Sequence, residues 1–264
     1  MASSSIFSLK DQKILVTGAA GHLGRAICEY LVLDGAVVLA VDVDEEELET
    51  LQLQLKGSSG SVYSFTKDLA DEAQRAELAE EVSAQTESLD GAVFAAAFVG
   101  TSDIDGWAVD FAHQSVSAWR RALELNLTAP FHLSQLLQPL LVRGRGPSIV
   151  NIGSIYGSKA PDWSLYEGLE MSNPAAYAVS KGGLIQLTRW LAATLAPEIR
   201  VNTVSPGGIA RGQHADFVAR YSAKTTLGRL ATERDIVGQV AFFLSEAAGY
   251  VTGQEARVDG GFGL

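Results

Sequence analysis

The 264 residues read as a doubly wound α/β domain, a parallel sheet of about seven strands with helices on both faces. Three features support that reading. Short apolar runs alternate with helical patterns, and the runs are continuously apolar, as strands covered on both faces are. A glycine cluster joins the first run to the first helical pattern. No repeat, low-complexity tract or linker divides the chain, so residues 1–264 are expected to form one domain.

Lys13-Ile14-Leu15-Val16-Thr17 is rich in β-formers and breaks at Gly18-Ala19-Ala20-Gly21-His22-Leu23-Gly24. A helical pattern follows through Ile27, Leu31 and Val32. Strand, glycine turn and helix together point free backbone N–H groups and a positive helix end at a pyrophosphate; an ordinary strand-to-helix turn is the alternative. The second strand, 36–41, ends at Asp42, which lies where an acidic residue grips a ribose 2′-hydroxyl. Asp42 also suits a strand-end turn, or the cap of a helix beginning near Glu45, whose acidic start is favourable. Residues 61–66 read as a strand, 72–86 as a helix, 91–97 as a buried strand, 116–141 as one long helix and 148–152 as a strand ending near Ser154. Strand 200–204, a helix over 233–246 and a strand at 255–258 complete the alternation.

The helix between the strands at 148–152 and 200–204 holds a candidate general acid/base pair, although Tyr and Lys at this spacing also occur on solvated helix faces. Asn173 is expected to cap it, with Pro174 at its first position, where a missing N–H is no loss. Tyr177 and Lys181 are four apart and share one helix face. A phenol is a poor acid near neutral pH, but a nearby cation and hydrogen bonding favour the phenolate. Gly182 and Gly183 each cost roughly 1 kcal/mol against Ala inside a helix, so a close approach to this backbone is expected.

Composition narrows the partners. A formal net charge of −11 argues against a nucleic-acid surface. Cys28, the only cysteine, excludes an internal disulfide or a thiolate metal cluster and is expected in the core. His113 and His132 have no metal-ligand partners at useful spacing and read as surface or packing residues, so no metal site is expected. The first ten residues lack the pattern of a secretory signal, and no apolar run approaches the roughly 20 residues that span a bilayer. The expectation is a soluble, cytoplasmic protein.

With the glycine loop, Asp42, Ser154, Tyr177 and Lys181 in this order, the chain resembles the short-chain dehydrogenase/reductase family from about Lys10 to Phe262. Further pieces resemble family motifs: Asp68-Leu69 the pair that contacts the adenine, Asn126 the helix asparagine, Pro206-Gly207 with Ile209 the turn covering the nicotinamide, and Tyr250 to Gln254 with Val258 to Gly261 the C-terminal signature. The resemblance implies a Rossmann-type fold and a nicotinamide cofactor. Gly18, Gly21, His22, Leu23, Gly24, Asp42, Asp68, Leu69, Ala95, Tyr177, Lys181, Pro206, Gly207 and Ile209 would hold that cofactor. It implies that Tyr177 exchanges a proton with the substrate oxygen, that Ser154 hydrogen-bonds this oxygen, that Lys181 binds the ribose and stabilises the tyrosinate, and that Asn126 holds a water on the proton path. Read alone, Ser154 equally suits a turn cap and Asn126 a backbone contact.

Three departures accompany the resemblance. His22 stands at the family's second loop glycine, with Gly21 before it; the spacing matches the extended branch of the family, but 264 residues leave little room for that branch's substrate region. Ala95-Ala96-Ala97-Phe98 replaces Asn-Asn-Ala-Gly, so other groups must support that strand. Ser154 and Tyr177 are 23 apart, and the surplus residues, 160–171, must loop out beside the site, where specificity tends to lie.

The resemblance implies an oxidoreductase that interconverts a secondary alcohol and a ketone, and Asp42 leads to the expectation of NAD ahead of NADP. Trp163, Tyr166 and Glu167 favour a polar, sugar-like substrate, and overall similarity points to relatives in surface-glycan sugar biosynthesis. Arg211, in the stretch 208–227, is a candidate anion contact because its planar fork suits phosphate or carboxylate; the two glycines opening that stretch suit a movable lid. Two alternatives are a 3-ketoacyl reductase-like enzyme and a catalytically silent dinucleotide-binding regulator, which the fold alone does not exclude. By the same resemblance the chain is expected to form a homotetramer or dimer.

Overall fold

The structure, a computed structural model, describes residues 5–99, 102, 104–169 and 172–264. Glu170 and Met171, the end of the expected insertion, and Met1 to Ser4 of the N-terminal stretch lie outside the described residues.

Among the described residues, seven strands form one wholly parallel sheet: β1 (Lys13–Thr17), β2 (Val37–Asp42), β3 (Ser61–Thr66), β4 (Gly91–Phe94), β5 (Ser148–Ile152), β6 (Arg200–Pro206) and β7 (Glu255–Val258). Their order is β3-β2-β1-β4-β5-β6-β7. The connections therefore run one way from β1 and the other way from β4, and a crevice opens above the carboxyl ends of these two strands.

Helices cover both faces. On one side α1 (His22–Leu33), α2 (Glu45–Leu55) and α8 (Glu233–Leu244) pack on Ile14 and Val16 of β1. On the other, α3 (Glu72–Gln85), α5 (Ala129–Leu141) and α6 (Ala175–Leu195) pack on Leu15 of the same strand. Successive residues of a strand point to opposite faces, so continuous apolarity is what two covered faces require. Each fully buried Leu or Ile contributes about 1.5–3 kcal/mol relative to exposure. Cys28 lies in this core, fully buried.

Several boundaries differ from the sequence reading. The fourth strand stops at Phe94, because Ala95 and Ala96 leave the ladder to hydrogen-bond a side chain. The long helix expected over 116–141 is two helices, α4 (Val116–Leu123) and α5, joined by a π-helical turn at Glu124–Thr128. In that turn the Ala129 N–H bonds the Glu124 carbonyl five residues back. Pro174 itself occupies the N-cap of α6, extended at φ −65° and ψ 136°, so Asn173 precedes the cap and makes no capping bond. Asp44, not Asp42, caps α2, by accepting from the Glu47 N–H. The stretch after Pro206 contains a further helix, α7 (Ala215–Ala223), that periodicity did not reveal.

Candidate active site

The glycine loop, Asp42, Ala95, Ser154 and Pro206 all lie at the carboxyl ends of strands, along one edge of the sheet. Gly18 turns with φ +67°, and a side chain there would strike Ala96 of the neighbouring strand end, with its Cβ 2.8 Å from the Ala96 nitrogen. Gly24 is more constrained, because a Cβ would sit 1.9 Å from the Gly18 carbonyl oxygen. Gly21 precedes α1 without offering a side-chain cap, so the first N–H groups of that helix, at His22 and Leu23, have no intrahelical partner. A tight backbone cradle with free N–H groups at a helix N-terminus fits a pyrophosphate.

Asp42 bridges this loop and its own strand end. Its Oδ2 accepts from the Ala20 N–H at 2.9 Å and its Oδ1 from the Val43 N–H at 2.7 Å. Arg25 is tied to Glu47 by an ion pair and donates to Gln54 at 3.2 Å. Asp68 is held in its turn by accepting from Ala70 N–H, and Leu69 is buried beside it. The support that the strand-end alanines lack comes from elsewhere. Thr17 Oγ1 accepts from the N–H of Ala95 at 3.1 Å and of Ala96 at 3.2 Å. Asn126 grips Phe98 from both sides, its Oδ1 accepting from Phe98 N–H at 2.8 Å and its Nδ2 donating to Phe98 carbonyl at 3.1 Å. The second Nδ2 proton goes to Ser180 Oγ at 3.1 Å. Both amide protons are thus committed within the protein, and one Oδ1 lone pair remains for a water.

Tyr177, Ser154 and Lys181 meet one turn into α6. Burial holds the Tyr177 phenol above its ordinary value, opposed by a hydrogen bond from Ser154 and by the charge of Arg211, while Tyr166 adds to the rise. Lys181 is 3% exposed and donates to the Ile152 carbonyl at 2.7 Å, its Nζ lying 5.8 Å from the centre of the Tyr177 ring. Burial lowers its pKa to about 8. Ser154 Oγ also accepts from the Tyr156 N–H at 3.2 Å, so it caps a turn while facing Tyr177. The close approach expected at the paired glycines is present: a Cβ on Gly183 would lie 2.8 Å from Leu127, and one on Gly182 3.1 Å from the Gly157 carbonyl.

A cleft of about 1000 Å³ is lined by Trp163, Tyr166 and Glu167 of the insertion and by Val109, Asp110 and His113; Ser154, Tyr177 and Lys181 do not line it, and Tyr166, which acts on Tyr177, links the two. The second wall was not foreseen: nothing in the local pattern of Val109 to His113 distinguishes it from a surface loop. Tyr166 is oriented by a 2.9 Å hydrogen bond between its hydroxyl and that of Tyr156, another residue not singled out in the sequence. The residues after Pro206 do not line the cleft. Arg211 lies instead against Glu233, Nε to Oε1 3.4 Å, and Ile209 forms a bridge with Ala231.

The segment after Pro206 is packed rather than loose. A Cβ on Gly207 would lie 2.9 Å from Asp259, and one on Gly208 2.9 Å from the Tyr221 ring, so both glycines serve close approach. The Gly208 N–H donates to the Tyr221 hydroxyl at 2.6 Å. Rings of Trp163, Tyr166, Phe217, Tyr221 and Phe262 follow one another at 4.4–5.8 Å. Arg220 donates to the Glu167 carbonyl at 2.6 Å and Lys224 pairs with Asp162, fastening α7 to the insertion. Among the described residues no group of three or more potential metal ligands occurs, and no helix is long and apolar enough to cross a membrane.

A family model described as enoyl-(acyl carrier protein) reductase matches residues 18–263. The chain is 30% identical over 258 residues to a 3-oxoacyl-[acyl-carrier-protein] reductase of Thermotoga maritima, covering 96% of this chain and 98% of the relative. Among solved structures, a candidate NAD(P)-dependent gluconate 5-dehydrogenase from Beutenbergia cavernae with bound NADP at low occupancy superposes with a TM-score of 0.85 at 31% identity, covering 98% and 99% of the two chains. A short-chain dehydrogenase from Leptospira borgpetersenii with bound NAD+ gives 0.84 at 29% identity, covering 100% and 97%. With the loop, the strand-edge site and the Ser–Tyr–Lys cluster in place, these matches make the chain a member of the short-chain dehydrogenase/reductase family of oxidoreductases acting on CH–OH groups.

Proposed function

We propose that this protein is an NAD-dependent oxidoreductase that interconverts a secondary alcohol and a ketone, with Tyr177 as the general acid/base. The observation that carries this reading is the meeting of Tyr177, Ser154 and buried Lys181 at the carboxyl edge of the sheet, beside the helix N-terminus, with Tyr166 linking them to a cleft. The nicotinamide supplies the hydride acceptor or donor. Ser154 orients the substrate oxygen and Tyr177 gives or takes its proton, while Lys181, its Nζ 5.8 Å from the Tyr177 ring centre, would bind the nicotinamide ribose and favour the tyrosinate. Asn126 holds the backbone at Phe98 and keeps one lone pair for a water on the proton path. The whole set is more than a silent regulator needs. Replacing Tyr177 with Phe keeps the ring and removes the transferable proton. Turnover is expected to fall by roughly two to four orders of magnitude with NADH binding preserved; near-normal turnover would sink the mechanism.

The preference for NAD rests on Asp42. Its carboxylate, anchored by Ala20 N–H, suits the two ribose hydroxyls and repels a 2′-phosphate, and the nearby cation Arg25 is engaged by Glu47. Asp42→Ala is expected to narrow the ratio of kcat/KM for NAD over NADP; a wild-type ratio favouring NADP would reverse the assignment.

For substrate, exposed Trp163 with Tyr166, Glu167 and Asp110 supports a polar, sugar-like molecule in the cleft, since aromatic faces and carboxylates suit polyhydroxyl rings. Arg211, near enough to act on Tyr177, is kept as a candidate contact to an anionic group. A ketoacyl substrate is the second reading, favoured by the Thermotoga maritima relative. A panel of sugars and ketoacyl esters, followed by absorbance of the reduced nicotinamide, separates the two.

A further inference from the structure

Arg75 is the one arginine buried to 1% exposure among the described residues, and no step of the proposed chemistry uses it. Burying a guanidinium costs far more than burying an aliphatic side chain unless its charge and protons are matched. Three of its donors are matched, each by a different element. Nη1 donates to the Leu69 carbonyl at 2.7 Å, in the turn after β3. Nη2 donates to Glu124 Oε1 at 2.8 Å. Nε donates to His132 Nδ1 at 3.0 Å, on α5. A Leu or Met would fill the space between α3 and α5 at less cost, so packing alone does not account for the choice.

What distinguishes the three partners is where they lead. Leu69 belongs to the turn assigned to the adenine end of the cofactor. Glu124 opens the π-helical turn, and its carbonyl accepts the five-residue bond from Ala129. Asn126, two residues on, fixes Phe98 and reaches Ser180 Oγ, which in turn donates to the Tyr177 carbonyl at 2.8 Å. In a π turn the N–H groups bond carbonyls five residues back rather than four, and such turns cluster at functional sites. Adenine end, guanidinium, π turn and catalytic helix are thus joined by direct contacts.

We propose that Arg75 is a positioning residue that couples occupation of the adenine end of the cofactor site to the geometry of the π turn holding Asn126. The proposal rests on the dinucleotide-binding reading above. Adenosine 5′-monophosphate is the probe, because it fills the adenine end without a nicotinamide. Hydrogen exchange is followed at the Ala129 amide, which makes the π bond, and at the Phe98 amide, which bonds Asn126. In the wild-type protein saturating probe is expected to slow both by about fivefold or more, within the usual range of coupling between sites. In Arg75→Met the probe still binds but the slowing is lost. Glu124→Gln removes the charge from one link while leaving the Leu69 contact, and the slowing is expected to shrink; this variant decides the matter if Arg75→Met does not fold. Equal slowing in either folded variant reduces Arg75 to a structural staple and overturns the proposal, as does wild-type protein that binds the probe with no change at either amide. If neither the probe nor NADH binds the wild-type protein, the dinucleotide reading itself falls, and this inference with it.

Discussion

Lys181 shows how a buried lysine is held against its own solvation. In water an ammonium group titrates near 10.5, and in this fold burial lowers that to about 8. Below pH 8 the ammonium is charged in folded and unfolded chains alike, and the fold carries the whole desolvation penalty, about 3 kcal/mol. Between pH 8 and 10.5 the folded protein sheds the proton first, so the penalty is relieved as pH rises. Lys181→Met has no such titration. Urea denaturation of the two proteins is expected to show the wild type gaining on the variant by up to about 3 kcal/mol across that interval. A constant difference would mean that Lys181 is solvated in the folded protein. Tyr177 carries the opposite strain: burial disfavours its phenolate, and Ser154 and Arg211 offset part of that.

At the scale of elements, the glycine loop and α8 make a contrasting pair. A methyl group on Gly24 would overlap the Gly18 carbonyl at 1.9 Å, so Gly24→Ala must open the loop, at about 1–3 kcal/mol for overpacking. Binding of NADH, read by its fluorescence, is expected to weaken at least tenfold, in line with a cost above about 1.4 kcal/mol. Gly238 is an exposed glycine inside α8 with nothing within 4 Å of an added Cβ. Gly238→Ala is therefore expected to stabilise the protein by about 0.5–1 kcal/mol through helix propensity alone, with cofactor binding unchanged. Equal effects at the two sites would show that the loop tolerates a side chain. The insertion and α7 form another unit, held by a small core of Ile155, Leu165, Phe217, Tyr221, Leu230 and Phe262. One wall of the cleft is thereby backed by a packed aromatic core.

Across the whole molecule, the order of the strands gathers the site and the outer helices leave apolar surface uncovered. Val116 of α4, Phe131 of α5, and Val179 and Trp190 of α6 are exposed by 37–63%. That pattern fits association of like chains, and an assembly larger than a monomer is expected in sedimentation at micromolar concentration, with Trp190→Glu shifting it toward the monomer. A wild-type protein that sediments as a monomer would count against assembly.

Much of this was legible in the chain itself, because local chemistry decides it. Apolar runs read as strands covered on both faces, the paired glycines 182 and 183 called for a close approach to their helix, and Tyr177 and Lys181 had to share a helix face. The clusters that lie far apart in sequence were decided only by packing. The grip of Asn126 on Phe98, the replacement of missing strand-end side chains by Thr17, the burial of Arg75 and the Val109 to His113 wall join residues with no common period or spacing. The π turn is of the same kind: sequence 116–141 is uniformly helical in pattern, and the extra residue in its middle is stabilised by partners on other elements. Propensity also gave way at the start of α6, where Pro174 took the capping position itself. Periodicity reports which face of an element is buried, whereas the partner that it meets there is set by the order in which the sheet brings its strand ends together.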